Sequence, residues 1–425
     1  MTRHYDTIYE YLLQIPVIDT HEHLWDEEYR VQNPGDWTTL FYHYSETVLK
    51  SAGMTDSESG ILYSPDSTHT DKWSIFSRYY PLVANTAYIK IAQIAIRDLY
   101  DIKSITADSM EELSKRMKSA IKPGFHRWVL REKAGIDYCA VNCFDRDQQD
   151  NRYPMRNWGD TQLLKPDLFV DGFLYPTGKV LIERETGIDA STLDGWISAM
   201  DWYFNKYADQ CCAVKIALAY SGPLDFHDGV SGQDAERLYI RHLGSPLNYI
   251  EARPLVDYLF FQMLKRAADY HIPLKFHTGI YSGGPDIDPI RRNVADLVCL
   301  ACSHPELYFI AMHIAYPFQN ELILATKQLR NLYADMCWSW AVDPEASAIF
   351  LKQALCTVPI NKIMGFGGDY AFVENTYGHL MLARKGISRV LADLMDSDYL
   401  TLDEACNVGR FLLRESAERV YNNNS

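Results

Sequence analysis

The chain has 425 residues, of which 47% are hydrophobic, enough to bury the core of one large α/β barrel or of two medium domains. Its formal net charge of −15 argues against the basic surface that nucleic acids and anionic membranes require, so we expect neither as a partner. The sequence has no run of about 18 apolar residues, so we predict no transmembrane helix.

The cysteines and the N-terminal sequence predict a cytoplasmic protein. Nine cysteines are scattered along the chain, and neither Cys211–Cys212 nor Cys299–Cys302 belongs to the repeated CxxC pattern of a structural zinc site. Scattered cysteines are typical of reduced thiols. Residues 1–19 place acidic residues among short apolar stretches and lack the continuous apolar core of a signal peptide.

Short apolar or β-branched segments alternate with helical stretches along the chain, a pattern typical of parallel βα units. We predict eight strands, at residues 17–20, 138–142, 168–174, 213–219, 274–278, 309–313, 332–336 and 363–367. Eight such units close into a (β/α)₈ TIM barrel, in which catalytic groups lie at the carboxyl ends of the strands. We therefore predict one α/β barrel over residues 1–425.

The interval between the first two predicted strands is too long for one helix and one loop. Residues 27–125 contain helix-like stretches such as TAYIKIAQIAIRDLY and SMEELSKRMKSAI. We predict a helical insertion subdomain over the mouth of the barrel. A separate N-terminal domain is the alternative, but the strand at 17–20 precedes the insertion and connects it to the barrel.

The first predicted strand, PVIDTHEHLW, contains His21 and His23. Alternate residues of a strand point to the same face, so both imidazoles can face one metal ion, although an isolated HxH pair is often incidental. Other ligand-type residues fall at or near later strand ends: Lys215 in AVKIALAY, His277 in LKFHTG, His313 in FIAMHIAYP and Asp369 in GFGGDYAF. Together they predict a site for one or two divalent ions, with Zn²⁺ favoured over Mn²⁺, Ni²⁺ or Fe²⁺.

With this ligand set the sequence resembles the amidohydrolase superfamily over nearly its whole length. The family has HxH on strand one, lysine or glutamate on strand four, histidines on strands five and six, and aspartate on strand eight. The resemblance implies these metal ligands: His21, His23, Lys215, His277, His313 and Asp369. Lys215 has three possible roles: a carboxylated ligand bridging two metals, a clamp for a substrate carboxylate, or a buried salt-bridge partner.

Shorter segments resemble particular branches of the superfamily. The long insertion, the stretch TLFYHYSETVLKSAG and the segment NLYADMCWSWAVDP are similar to uronate isomerases. SGPLDF and FVENTYGH are similar to the amidohydrolase-related domain fused to glutamine-synthetase-like proteins. The isomerase pattern does not require histidines after strands five and six, and this chain has both, which favours hydrolysis.

We therefore expect a hydrolase of an amide, lactone or related ester of a small polar acid, with a uronate-type aldose–ketose isomerase or a non-oxidative decarboxylase as alternatives. Asp369 is the expected proton shuttle, His313 either binds metal or polarises the substrate carbonyl, and Lys215 is the third catalytic candidate. The candidate substrate-binding residues, for which packing or surface roles are the alternative, are Trp25, His43, Arg127, Tyr281 and Trp338. We expect a small-molecule substrate and a homo-oligomer.

Overall fold

The computed structural model describes residues 3–142, 160–282 and 287–422. Its strands are β1 (Val17–Glu22), β2 (Ile136–Val141), β3 (Leu164–Pro166), β4 (Leu168–Phe169), β5 (Val214–Ile216), β6 (Leu274–Phe276), β7 (Phe309–Ala311), β8 (Leu332–Asp335) and β9 (Ile363–Met364). Neighbouring strands pair in parallel, in the order β1-β2-β3 and then β4-β5-β6-β7-β8-β9.

The two groups of strands form one closed barrel. Only Asp167 separates β3 from β4, so the two segments together make the third barrel strand. At the other junction, the amide of Thr20 donates to the carbonyl of Phe366 over 3.2 Å, and the amide of Asp369 donates to the carbonyl of His21 over 2.8 Å. These bonds join β1 to the segment that follows β9. The predicted TIM barrel is confirmed.

One strand prediction was wrong in its bounds. Residues 168–174 were predicted as the third strand, but that strand runs from Leu164 to Phe169, and Asp171–Leu174 is a short helix. Val170 has helical backbone angles, with φ −117° and ψ −6°, which end the extended segment. The apolar run is buried in both conformations, so hydrophobicity alone did not separate strand from helix.

Between β1 and β2 the chain is helical. Helix α1 (Tyr5–Leu13) precedes β1. The helical elements between β1 and β2 are α2 (Glu27–Gln32), a 3₁₀ turn (Trp37–Phe41), α3 (Tyr44–Ser51), α4 (Asp56–Tyr63), α5 (His69–Val83), α6 (Ala87–Tyr100), α7 (Ala107–Ala120), α8 (Phe125–Arg127) and a π-helical turn (Trp128–Lys133). The rings of Trp37 and Phe41 lie 5.0 and 4.7 Å from that of Phe76, forming an aromatic core. The division of the chain into a barrel and an insertion subdomain at 27–125 stays a prediction.

The remaining helices connect or follow the other strands. They are α9 (Asp171–Leu174), α10 (Lys179–Thr186), α11 (Leu193–Tyr207), α12 (Gly232–Gly244), α13 (Tyr249–Asp269), α14 (Ile287–Ser303), α15 (Gln319–Gln328), α16 (Ser339–Val342), α17 (Pro344–Leu355), α18 (Val373–Asp396), α19 (Leu402–Arg410) and α20 (Ser416–Tyr421). Short 3₁₀ or π turns lie at Ala208–Gln210, Leu218–Tyr220, Met312–Ala315, Ile360–Lys362 and Phe411–Glu415. Within the described ranges, no helix is long and apolar enough to cross a membrane.

The barrel interior contains a buried ion pair. Lys275, on β6, donates to both carboxylate oxygens of Asp167, over 2.7 and 2.9 Å, and to the carbonyl of Thr20 over 2.7 Å. Neither charged side chain is exposed to solvent. Charges in such surroundings are tolerated only when they are paired and hydrogen-bonded, and the three bonds from Lys275 meet that condition.

Two glycines with left-handed backbone differ in how closely their surroundings are packed: Gly279 lies in the loop after β6, and Gly187 follows α10. A Cβ at Gly279 (φ +71°) would lie 2.7 Å from backbone atoms of Ala315 and Tyr316, whereas a Cβ at Gly187 (φ +70°) has no atom within 4 Å. We expect Gly187→Ala to lower the free energy of unfolding by about 1–2 kcal/mol through strain alone. Gly279→Ala should cost about 2–5 kcal/mol, because overpacking adds to that strain. Equal losses in urea unfolding would contradict this interpretation.

Candidate metal-binding active site

A cavity of about 570 Å³ lies at the carboxyl ends of the barrel strands, where catalytic groups of this fold are found. All six predicted ligand-type residues line it. The lining residues are His21, His23, Trp25, Tyr42, His43, Tyr44, Asn142, Phe169, Asp171, Lys215, Ala217, Tyr220, Ser221, His277, Ser282, His313, Asp369 and Ala371. The barrel therefore brings together ligand-type side chains from His21 to Asp369, which are 348 positions apart in the sequence.

Three of these side chains converge closely enough to bind one metal ion. His23 Nε2 lies 3.0 Å and His21 Nε2 lies 3.6 Å from Asp369 Oδ1, and the two imidazole nitrogens are 3.3 Å apart. His21 Nδ1 is directed at Asp167 Oδ2, 3.4 Å away. Because the carboxylate accepts a hydrogen bond from the protonated Nδ1, the Nε2 lone pair of His21 is left for a cation.

Residues of β1 fix the position of Asp369. Asp369 has a left-handed backbone, with φ +61°, and its amide donates to the carbonyl of His21. The amide of Gly368 donates to Asp19 Oδ1 over 3.0 Å, and that of Tyr370 donates to Glu22 Oε2 over 2.7 Å. Three successive amides are thus held by β1, which orients the Asp369 carboxylate toward the two histidines.

The charge states in this group suit a cation. Burial lowers the pKa of His21 well below its usual value, and the neighbouring His23 and Lys215 lower it further, so the imidazole is neutral. Burial alone would raise the pKa of Asp369, but the hydrogen bond from His23 and the other electrostatic contacts of this group hold it well below its usual range. Imidazole nitrogens beside an ionised carboxylate form a donor set that fits a divalent metal ion.

His277 and His313 form a second pair in the cavity. His277 Nδ1 lies 3.0 Å from His313 Nε2. The other nitrogen of each ring faces a backbone carbonyl. His277 Nε2 lies 3.0 Å from the carbonyl oxygen of Ile280, and His313 Nδ1 lies 3.0 Å from the carbonyl oxygen of Cys337. Since a carbonyl only accepts, both of these nitrogens carry protons, and in neutral rings the lone pairs of His277 Nδ1 and His313 Nε2 face each other. Such a pair is stable when a proton or a metal ion lies between the nitrogens.

Lys215 is buried, 2% exposed, and its Nζ lies 2.9 Å from Met312 Sδ. In the part of the chain that the structure describes, no ion pair within 4.0 Å involves Lys215. The described residues therefore offer no carboxylate that would make Lys215 a salt-bridge partner. Carboxylation and binding of a substrate carboxylate stay open.

The comparisons with known proteins agree with this geometry. Residues 226–393 match the family model Amidohydrolase (Amidohydro_2). Uronate isomerase from Thermotoga maritima superposes with a TM-score of 0.80 at 14% identity, covering 99% of this chain and 98% of that one. Glucuronate isomerase from Caulobacter crescentus superposes with a TM-score of 0.78 at 16% identity, covering 99% of this chain and 94% of that one. The resemblance to the amidohydrolase superfamily is therefore confirmed.

A curated relative matches a shorter part of the chain. Protein fluG of Emericella nidulans is 25% identical over 220 residues, which is 49% of this chain. The chain spans only 25% of the length of fluG. Together with the family match, this supports an enzyme of the amidohydrolase superfamily with candidate His and Asp ligands for a divalent metal.

The predicted substrate-binding residues have different positions in the structure. Trp25 and His43 line the cavity. Trp338 lies behind His313, at a ring distance of 5.5 Å, and Tyr281 lies beside His277 at 5.6 Å while its hydroxyl donates to the carbonyl of Ala219. These two side chains support the site histidines from behind.

Arg127 does not line the cavity. Its guanidinium pairs with Asp160, the residue at which the described chain resumes before β3, and about half of the side chain is exposed. The prediction that Arg127 binds the substrate anion has no support in this structure, because the carboxylate of Asp160 already neutralises it at a surface position.

Sequence reasoning missed several residues of the cavity. Tyr42, Tyr44, Asn142, Asp171 and Tyr220 line it. Asp171 was overlooked because the third strand was predicted to continue through it, although a carboxylate after a barrel strand is itself a signal for the site. Another missed residue is Cys337, which has a ligand atom within 4.8 Å of those of His313 and Asp369.

The contact between Asp167 and His21 gives a testable prediction for the metal affinity of the candidate site. We expect Asp167→Asn to weaken metal binding about 10- to 100-fold, because the residue that orients a ligating imidazole controls its tautomer and basicity. Competition with a chromophoric chelator measures the affinity, and circular dichroism checks that the variant folds. Unchanged metal affinity in a folded variant would show that Asp167 pairs with Lys275 but does not orient His21 for metal binding.

Proposed function

We propose that this protein is a metal-dependent hydrolase that cleaves an amide, lactone or related ester bond of a small polar acid. The observation that carries the proposal is the convergence of His21, His23 and Asp369 within 3.0–3.6 Å inside a cavity that also contains His277 and His313. We propose Zn²⁺ as the metal because its usual ligands are imidazole nitrogens and carboxylate oxygens. When bound, such an ion lowers the pKa of water and polarises a carbonyl.

The residues of the chain supply positioning and proton transfer. Asp369 is ionised, and its Oδ1 lies beside both histidines, so it is placed to take a proton from the attacking water and to pass it to the leaving group. His313 is fixed by the carbonyl of Cys337 and presents Nε2, which serves either as a ligand or as a contact to the substrate carbonyl. Asp167 holds the ring of His21 in place.

A second candidate is an aldose–ketose isomerase. It is favoured by the likeness to uronate isomerase and glucuronate isomerase over 99% of the chain. The histidine pair after β6 and β7 supports hydrolysis instead, because it adds donor groups beside the ligand cluster. The two reactions differ in what enters the product: hydrolysis adds a water oxygen, whereas isomerisation moves a proton between carbons.

Isotopic labelling separates the two candidates. Purified protein is assayed against panels of N-acyl amino acids, sugar-acid lactones and hexuronates in H₂¹⁸O and, separately, in D₂O, with mass spectrometric detection. We expect one ¹⁸O atom in the product and no deuterium on carbon. Deuterium on carbon without ¹⁸O at a newly formed carboxylate would replace the hydrolase with an isomerase. Protein carrying Asp369→Asn, prepared in parallel, controls for contaminating enzymes, and elemental analysis gives the metal.

We also propose that the protein is a homo-oligomer acting on a small molecule. Light scattering coupled to size-exclusion chromatography measures the mass directly. A mass of one 48.9 kDa chain at micromolar concentration would contradict the oligomer.

A further inference from the structure

The cavity has two chemically different sides. The histidines and Asp369 come from β1 and from the segments after β6, β7 and β9. The other side is formed by Asn142, which follows β2, Asp171, which follows β4, and Lys215, which lies on β5. The proposed hydrolysis uses the first side and assigns no role to Asn142 or Asp171.

Lys215 is suited to bind an anion. Lys215 is 2% exposed, its Nζ contacts the neutral thioether of Met312, and no carboxylate of a described residue lies within 4.0 Å of it, so it lacks the close counter-charge that buried cations normally have. Lys275, on the neighbouring strand, shows the contrast: it is equally buried, but both oxygens of Asp167 neutralise it. Because Lys215 lines the cavity, a ligand can supply the missing negative charge.

Asp171 is suited to accept hydrogen bonds from a ligand. Both of its oxygens accept from one donor, the amide of Ala217, over 3.0 and 3.1 Å. A carboxylate has about four acceptor positions, so capacity is left for a second donor. Asn142, also on this side, has a buried Oδ1 that accepts no hydrogen bond from any residue that the structure describes.

The strand register places these groups on adjacent elements. Lys215 is the register partner of Phe169, and Asp171 lies two residues beyond Phe169, at the start of α9. Both side chains line the same cavity, so one small ligand with a carboxylate and a hydrogen-bond donor can contact both.

We propose that Lys215 and Asp171 form a subsite for α-hydroxy or α-amino acid groups, in which Lys215 pairs with the carboxylate and Asp171 accepts from the α-substituent. This inference rests on the proposed function and narrows its substrate class to acyl or lactone derivatives of such acids. Of the roles considered for Lys215, the proposal assigns it the binding of a substrate carboxylate and not that of a carboxylated metal ligand.

Binding of simple probes tests the subsite. Glycolate, acetate and glycolamide are titrated into the protein as purified, by calorimetry and by thermal shift. We expect glycolate to bind about tenfold or more tightly than acetate, which lacks the hydroxyl, and than glycolamide, which lacks the charge. Lys215→Met should abolish the preference over glycolamide. Asp171→Leu should abolish the preference over acetate, and Asp171→Asn, which keeps an acceptor oxygen, should partly restore it.

Lys362→Met provides the matched control. Lys362 is also a buried lysine, but it lies just before β9 and donates to the carbonyls of Leu329 and Arg330, away from the cavity. Its loss should lower thermal stability and leave probe binding unchanged.

Three results would overturn the subsite: no probe discrimination by the wild-type protein, unchanged discrimination in folded Lys215→Met and Asp171→Leu, or loss of metal in Lys215→Met together with bicarbonate-dependent metal loading of the wild type. The last would make Lys215 a carboxylated ligand. None of them touches the proposed hydrolysis, which is judged by ¹⁸O incorporation, so failure of one proposal is distinguishable from failure of the other.

Discussion

Asp369→Asn is expected to lower kcat by about 10²- to 10⁴-fold, the usual cost of losing a general acid–base. Asparagine keeps the shape and one oxygen but cannot take a proton at neutral pH. His21 and His23 remain in place, so much of the metal should be retained. Measurement of kcat and metal content on the same preparation separates proton transfer from ligand loss.

Asp225→Asn is the matched control for this experiment. Asp225 pairs with Arg253 and Arg292 outside the cavity, and its amide variant should keep full activity. A preparation of Asp369→Asn that keeps its metal and loses less than about tenfold in kcat would assign the proton transfer to another group, His313 first.

Lys275→Met is expected to lower the free energy of unfolding by about 3–5 kcal/mol, because removal of one partner of a buried pair leaves the other charge without compensation. Asp167 would stay in the barrel interior without its two hydrogen bonds from Lys275. Urea unfolding followed by fluorescence measures the loss. Activity is a less direct measure here, since Asp167 also contacts His21.

Two further variants make this result specific. Lys50 forms ion pairs on the surface with a 39% exposed side chain, and Lys50→Met should lower the free energy of unfolding far less than Lys275→Met does, because water screens a surface pair. The double variant Asp167→Asn/Lys275→Met removes both charges and should be less destabilised than the sum of the single variants. Additive losses would show that the ion pair contributes little coupling.

The side chains that line the candidate site could be predicted because they follow local rules. His21 and His23 share one face through the two-residue period of a strand, and His277, His313 and Asp369 occur where apolar segments end. Topology alone then brings them to one end of the barrel.

Other features depend on contacts between distant segments and have no local signal. Lys275 lies inside a short apolar strand, and its partner Asp167 is 108 positions away, so the sequence did not indicate the pair. Arg127 has the charge of a substrate-anion ligand, but Asp160 holds it elsewhere. Cys337 is near the ligands only because the backbone after β8 turns beneath His313.

The bonds between β1 and the amides of residues 368–370 mean that the ligand group is built across the junction where the barrel closes. His21 and His23 belong to the beginning of the chain and Asp369 to its last barrel unit, so neither end alone carries a complete site. A cation bound by all three acts as a cross-link between the two ends and stabilises the closed form over any form open at this junction. Hydrogen exchange at the amide of Asp369 therefore reports both ring closure and metal occupancy.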